Sequence, residues 1–380
     1  MIETSSSIPL GFWKKILGLN PSQDVGKQIK SKFNITFEHP WYPFLSRLYM
    51  KGLEIVNYPD AEKGWRPFAV KSGSELLQKE DIDAMVSSSS PVTSHLIAKE
   101  LKAKHEIPWI ADLRDLWSQN HSYPYGRLRH FLDTRLELKT LASADALVTT
   151  SPTLAGQLKR LHRRAAVYSI TNGFDPQEVN NPPAKLTDKF TITYTGTIYR
   201  GKQDPSRLFA ALRDLISNGA VNPKDIEVRF YGPEDELLAK QIEEYGLSAI
   251  AKYYGIVPRE IAFEKQRESQ LLLLLNWNKS WEDQRERGFY TLKVFEYLAA
   301  QRPILAIGGF GNDVIESLLN ETKAGIYCKT VEDIKNVLKE SYVEYKQKGK
   351  ISYSGGIEKI DKYSHREMAR KFAEILEHLT

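Results

Sequence analysis

The sequence predicts an α/β protein built from two doubly wound, parallel-sheet domains in tandem. Three observations carry that expectation. At 380 residues, with 41% hydrophobic and 27% charged content, the chain is long enough for two sizeable cores at roughly 150 residues per domain. Short apolar runs alternate with segments whose apolar residues recur every three or four positions, the pattern of parallel strands and the helices that cross over them. The stretch through Asn180, Asn181, Pro182 and Pro183 to Asp188 has neither period and divides that alternation in two.

In the first half, strands are expected at Ala84–Ser87, Trp109–Leu113, Ala146–Thr150 and Ala166–Ile170, with helices at Ser94–His105, Leu128–Ala142 and Thr153–Leu161 between them. Asn172-Gly173 reads as a turn. In the second half a strand at Thr191–Thr195 ends in Gly196, and Ser206–Ser217 places Leu208, Phe209, Leu212 and Leu215 on one helix face. Strands follow at Glu227–Tyr231, Lys252–Tyr254, Leu271–Leu275 and Ile304–Ala306. Helices are expected at Leu237–Tyr245, Leu292–Ala300, Val331–Tyr345 and, after Gly355-Gly356, His365–Leu379. The domain bounds expected are 1–175 and 189–350, with a linker at 176–188 and a C-terminal helical segment at 351–380. Residues 1–80 do not fit the pattern, since no strand, glycine-rich turn and helix opens the first domain.

Composition removes several function classes. Fifty-three basic against 48 acidic residues give a dispersed +5, too little to argue for nucleic acid but compatible with phosphate-bearing ligands. No apolar run approaches the roughly 20 residues that cross a bilayer. Glu3 precedes the first apolar stretch, so a cytoplasmic location is expected. Cys328 has no partner thiol, and the histidines have no ligand spacing, so no metal site is assigned. Phosphate loops of the GxxxxGK[ST] type, GxGxxG turns, HExxH, CxxC and GxSxG are all absent. Phe12-Trp13-Lys14-Lys15-Ile16-Leu17 mixes aromatics and lysines, as a short packed helix or a weak interfacial one does.

The most informative stretch runs from Gly288 to Ala306: a loop, a helix and a strand directly after Leu271–Leu275. Thr291 suits the helix N-cap. Free backbone N–H groups there, with Lys293 in the first turn, favour a diphosphate. Glu296 lies on the same face, where its carboxylate can accept hydrogen bonds from both ribose hydroxyls. The plainer reading is a surface Lys293–Glu296 pair worth a few tenths of a kcal/mol.

Phe295-Glu296-Tyr297-Leu298-Ala299-Ala300-Gln301-Arg302-Pro303 resembles the glutamate helix and following "EALAAGRP" run of the retaining GT-B glycosyltransferases, the large family 4 class. The similarity extends over residues 84–379. It implies a GT-B fold of two Rossmann-like domains facing a cleft, the first lacking its usual opening βαβ unit. Thr193-Tyr194-Thr195-Gly196-Thr197-Ile198-Tyr199-Arg200-Gly201-Lys202 is similar to the family's glycine-ended strand, and Lys202 then takes the place of its diphosphate lysine. Thr197 stands where the family has arginine, which makes Arg200 a candidate substitute. Lys202 also reads as a solvated loop charge. Eight residues before Glu296 the family has a second glutamate near the donor sugar; here that position is Gly288, with Glu286 two residues away.

In the first domain, Asp112, Arg114 and Asp115 end the strand Trp109–Leu113, and Arg114-Asp115 occupies the family's His-Asp position. That implies Arg114 near the donor sugar or phosphate. A network of Arg114 with Asp112 or Asp115 bracing the loop is the alternative. The resemblance thus implies catalytic Arg114, Asp115 and Lys202. Its donor-binding set is Gly196, Thr197, Arg200, Lys202, Tyr290, Thr291, Lys293 and Glu296. It also implies metal-independent, cofactor-free transfer, with retention, from a UDP- or GDP-sugar to a glycan or lipid-linked acceptor. Cell-surface polysaccharide or glycoconjugate synthesis at the inner membrane face is the expected setting, with no nucleic acid partner. A non-catalytic subunit needing a partner chain to complete the first domain is the rival; a sugar epimerase is a weaker third.

Overall fold

A computed structural model describes residues 51–52, 54–179, 184–277, 288–309 and 314–380. The chain divides into two units, Met1–Ser169 with Glu374–Thr380, and Ile170–Ala373. The segment Phe12–Leu17, residues 180–183 of the linker, and Glu286 lie outside the described residues.

In the first unit, a 3-10 turn at Ala61–Trp65 leads through α1 (Arg66–Lys79), β1 (Met85–Ser89), α2 (Thr93–His105), β2 (Trp109–Leu113), α3 (Arg127–Leu141), β3 (Ala146–Thr149) and α4 (Pro152–Leu161) to β4 (Ala166–Ser169). The four strands pair in parallel in the order β1-β2-β3-β4. Among the described residues β1 is the first strand, and it lies at the sheet edge. The central strands β2 and β3 are buried throughout, and Trp109, Ala111, Leu113 and Leu147 share a core with Leu141, Leu154 and Leu158.

The helix α3 reverses what its periodicity predicts. Its apolar Leu128, Phe131, Leu132 and Leu138 are exposed, while Arg129, Asp133, Glu137 and Thr140 are buried. Each buried charge has a partner. Arg129 Nε donates to Asp133 at 2.9 Å, and its other nitrogens donate to the carbonyls of Glu54 and Pro59. Tyr123 donates to Asp133 as well. Glu137 accepts from the Ser118 backbone N–H at 2.9 Å and lies 3.2 Å from His162 Nε2. Apart from the i,i+4 pair of Arg129 with Asp133 and the nearby Tyr123, these partners are remote in sequence, so local spacing carries no sign of them.

The second unit runs α5 (Pro176–Val179), β5 (Phe190–Thr195), α6 (Ser206–Ser217), β6 (Ile226–Tyr231), α7 (Glu236–Glu244), β7 (Ala251–Gly255), α8 (Arg259–Arg267), β8 (Leu271–Leu275), α9 (Lys293–Ala300), β9 (Ile304–Ile307), α10 (Val314–Thr322), β10 (Gly325–Cys328), α11 (Val331–Lys348), α12 (Ile357–Asp361) and α13 (His365–Glu377). All six strands are parallel, in the order β7-β6-β5-β8-β9-β10. The order reverses between β5 and β8, which makes their C-terminal ends the topological switch point where such sheets bind ligands.

Both faces of this sheet are covered, which explains the unbroken leucines of β8. Leu271, Leu273 and Leu275 join the core with α6 and α11, while Leu272 and Leu274 join the one with α9 and α10. On β5 the second face is polar: Thr191, Thr193 and Thr195 are buried and bond to the Gln270 backbone N–H, the Ser269 hydroxyl and Gln266 Nε2. Asn172-Gly173 is not a tight turn. The segment pairs with the chain before α13, with Phe174 and His365 each donating to the other strand, and a Cβ on Gly173 would stand 2.7 Å from the Tyr363 carbonyl oxygen.

Candidate functional site

The candidate site of the second unit is assembled by the loop 196–203, the end of β8 and the start of α9. Thr195 donates its backbone N–H to Tyr297 at 3.2 Å, which ties β5 to α9. The fully buried Tyr297 hydroxyl is pushed up to about 12 by burial. Gln266 links the same two elements, donating to Thr195 at 2.8 Å and, at 3.5 Å, to Glu296. Gln203 closes the third side. Its amide donates to the Leu275 carbonyl at 2.7 Å, and its oxygen accepts from Tyr199 N–H at 3.1 Å and the Tyr194 hydroxyl at 3.3 Å.

Gly196, at φ +100°, brings Lys293 to the end of β5. A Cβ there would lie 2.7 Å from Lys293 Cε and 3.1 Å from Nζ. No other residue gives both that backbone angle and that space. Gly232 makes the neighbouring approach possible, since a Cβ on it would fall 2.3 Å from the Gly196 carbonyl oxygen. The Lys293 ammonium rests 5.4 Å from the Tyr194 ring centroid and 6.0 Å from that of Tyr199. Burial holds its pKa below the ordinary lysine value, partly offset by Glu296. Such a lysine is poised to gain an anion. Lys202 sits 4.2 Å over the Trp277 ring, and Trp277 in turn packs near Tyr199 and Phe289 at 6.0 and 5.4 Å between ring centroids.

Thr291 does not cap α9 with its side chain. The N-cap is Leu292, with no side-chain cap, because the chain enters through a tight turn in which Val294 and Phe295 donate to the Thr291 and Leu292 carbonyls. The backbone N–H groups of Thr291, Leu292 and Lys293 therefore carry no hydrogen bond among the described residues. They are the donors an anion would use. Tyr290 is buried against Phe295. Thr197 is exposed, its carbonyl accepting from Tyr194, and Arg200 pairs at 3.2 Å with Asp235, the N-cap of α7. Arg200, Gly201, Gln203, Asp235 and Gln241 line an adjoining cavity of about 270 Å³.

In the first unit, Arg114 Nε donates to Asp112 at 2.8 Å, which is the bracing contact foreseen as one alternative, and Ser88 donates to the same oxygen at 3.0 Å. The other Asp112 oxygen and the Ser89 hydroxyl are buried without a hydrogen bond among the described residues. Burial raises the pKa of Asp112 despite Arg114, and raises that of Asp115. Asp115 has no hydrogen bond or ion pair among the described residues. This strand end therefore holds polar groups that a polar ligand would satisfy.

Trp277 and Gln203 were not singled out from sequence. Their only signal is position: Asn276-Trp277 follows β8 directly, and Gln203 follows Lys202.

Residues 35–178 match the family model Glycosyltransferase Family 4. None of the curated proteins matches the chain in sequence. Among solved structures, HepE of Anabaena in complex with UDP superposes with a TM-score of 0.59 at 14% identity, over 82% of either chain. A TarM mutant of S. aureus, in complex with Fondaparinux, alpha-GlcNAc-glycerol and UDP, gives 0.54 at 11% identity, over 83% of this chain and 59% of that one. Sucrose-phosphate synthase of Thermosynechococcus elongatus gives 0.52 at 15%, over 83% and 78%. At these identities the likeness is one of fold. No helix of the described residues is long and apolar enough to cross a membrane. Two parallel α/β sheets and these neighbours together identify a GT-B fold, whose first part is similar to Glycosyltransferase Family 4 over residues 35–178.

Proposed function

We propose that the chain transfers a sugar from a nucleoside-diphosphate sugar, UDP- or GDP-linked, to a glycan or lipid-linked acceptor. The observation that carries this is the convergence at the β5–β8 switch point of a half-buried ammonium, Lys293, three open N–H groups and the Glu296 carboxylate. In this reading Lys293, Lys202 and the α9 N-terminus hold the diphosphate, and Glu296 accepts the ribose hydroxyls. As the anomeric carbon–oxygen bond to the diphosphate breaks, charge grows on the leaving oxygen, and fixed cations and N–H groups stabilise it there without reorganising. The acceptor oxygen bonds the same carbon and its proton passes to the leaving phosphate, giving retention. Charge supplied by two lysines makes the reaction independent of metal and cofactor.

Arg114 and Asp115 are the proposed catalytic residues of the first unit. Two of these neighbours are complexes with UDP, which supports a nucleotide donor. The setting proposed is cytoplasmic synthesis of a surface polysaccharide or glycoconjugate at a membrane face. A second reading, a binding subunit dependent on a partner chain, draws on Gly288 standing where the resemblance expects a glutamate.

Incubation with UDP-, GDP- and ADP-sugars, followed by release of the free diphosphate, tests the proposal. Wild type should release one of the three, and Glu296→Ala should cut that release about tenfold or more, the equivalent of roughly 1.4 kcal/mol or more of lost transition-state binding. Release by neither protein, with nucleotide still bound, would favour the second reading.

A further inference from the structure

Over most of its length α3 is inside out, Leu136 and Leu141 alone of its apolar residues packing on the core. Leu128 is 75% exposed and Phe131 51%, while Arg129 is 5%, Asp133 2% and Glu137 0% exposed. Burying charges is costly even when they are paired, and leaving leucine and phenylalanine in water forgoes about 1.5–3 kcal/mol for each side chain. Neither choice serves the stability of this unit. Its outward face is the feature that needs explaining.

The charges on this helix are sorted by sign. Both acidic residues, Asp133 and Glu137, point inward onto fixed partners. The exposed charges are Arg127, Arg135 and Lys139, all basic. Arg135 lies 4.5 Å over the Phe131 ring, so apolar and cationic groups form one surface. Beside it, Lys99 donates to the Lys139 carbonyl at 2.8 Å. The Arg129 contacts to Glu54 and Pro59, with a Tyr58 bond to the Leu132 carbonyl at 3.3 Å, hold against the helix a segment whose Ile55 is 76% exposed.

We propose that the outer face of α3, with Ile55 beside it, docks on an anionic lipid surface, its leucines and Phe131 entering the headgroup boundary and its basic side chains meeting lipid phosphates. An apolar stripe whose exposed helical charges are all cationic is complementary to that surface, the half-buried Glu54 beside Ile55 being the acidic exception. Charge speaks against the other occupants. A second copy would set Arg127, Arg135 and Lys139 against their own kind across a two-fold interface. Residues 1–50 carry six basic against three acidic side chains and so offer no complementary charge.

The test is sedimentation of the full chain with vesicles of phosphatidylglycerol and phosphatidylcholine, against vesicles of phosphatidylcholine alone. Wild type should bind the anionic vesicles only, and high salt should weaken binding. Arg127→Glu with Arg135→Glu and Lys139→Glu should weaken it about a hundredfold, and Phe131→Asp about tenfold. The thermal midpoint should stay that of wild type in both variants, because every substituted residue is exposed. Three results would overturn the proposal: wild type free of both vesicle types, both variants binding like wild type, or a wild-type dimer that Phe131→Asp converts to monomer without lipid. Binding is read without a donor, so its failure leaves the transfer reading standing.

Discussion

Gly196 joins the end of β5 to Lys293 in the proposed nucleotide site. Its φ of +100° and the Lys293 side chain 2.7 Å from where a Cβ would stand act together. Gly196→Ala should cost about 1–2 kcal/mol of stability from backbone conformation alone. It should weaken nucleotide binding further, because the displaced group is the flexible end of Lys293. Thermal melts with and without nucleotide separate the two effects. His95 makes a different prediction. It is fully buried, with Nδ1 2.7 Å from the Ser87 hydroxyl, and burial pushes its pKa down to about 3. The folded state keeps it neutral while an unfolded chain protonates it below about 6.5, so its contribution is complete above pH 6.5. That contribution is lost as pH falls from there toward 3, at up to roughly 1.4 kcal/mol per pH unit. In His95→Gln the acid loss of stability across that window should be shallower than in wild type, as measured by denaturant unfolding at several pH values.

Among the elements, β8 and α9 were legible in sequence because their patterns are local. Five consecutive leucines, a run of strand length, fit a strand buried on both faces, and the helix from Lys293 shows its apolar period directly. The helix α8 was not legible, since only Gln266 of its nine residues is buried and the rest is largely charged. Nor was β10, a four-residue edge strand with half its residues outside the core. For α3 the helix was readable and its orientation was not, because the partners of Arg129 and Glu137 come from Glu54, Pro59, Ser118 and His162. The same holds for the candidate site. Lys293, Glu296 and Gly196 stood out by motif, whereas the seat of Lys202 on Trp277 joins residues 75 positions apart. The tie between β5 and α9 is tested by Tyr297→Phe. That change leaves the Thr195 N–H buried and unpaired, and should cost about 1–3 kcal/mol of unfolding free energy in chemical denaturation.

At the scale of the whole molecule, the proposed transfer requires the second unit to bind a nucleotide at the switch point of its sheet. Strand order, the open N–H groups of α9 and the half-buried Lys293 meet at the same end of β5 and β8, where the proposed diphosphate would sit. The most direct measurement is thermal stabilisation of wild type, Lys293→Ala and Glu296→Ala by UDP, GDP and ADP. One nucleotide at about a hundred times its dissociation constant should stabilise wild type by roughly 2.7 kcal/mol and leave both variants nearly unshifted at the same concentration. Stabilisation of Lys293→Ala and Glu296→Ala as large as that of wild type, or of none of the three proteins by any nucleotide, would contradict it.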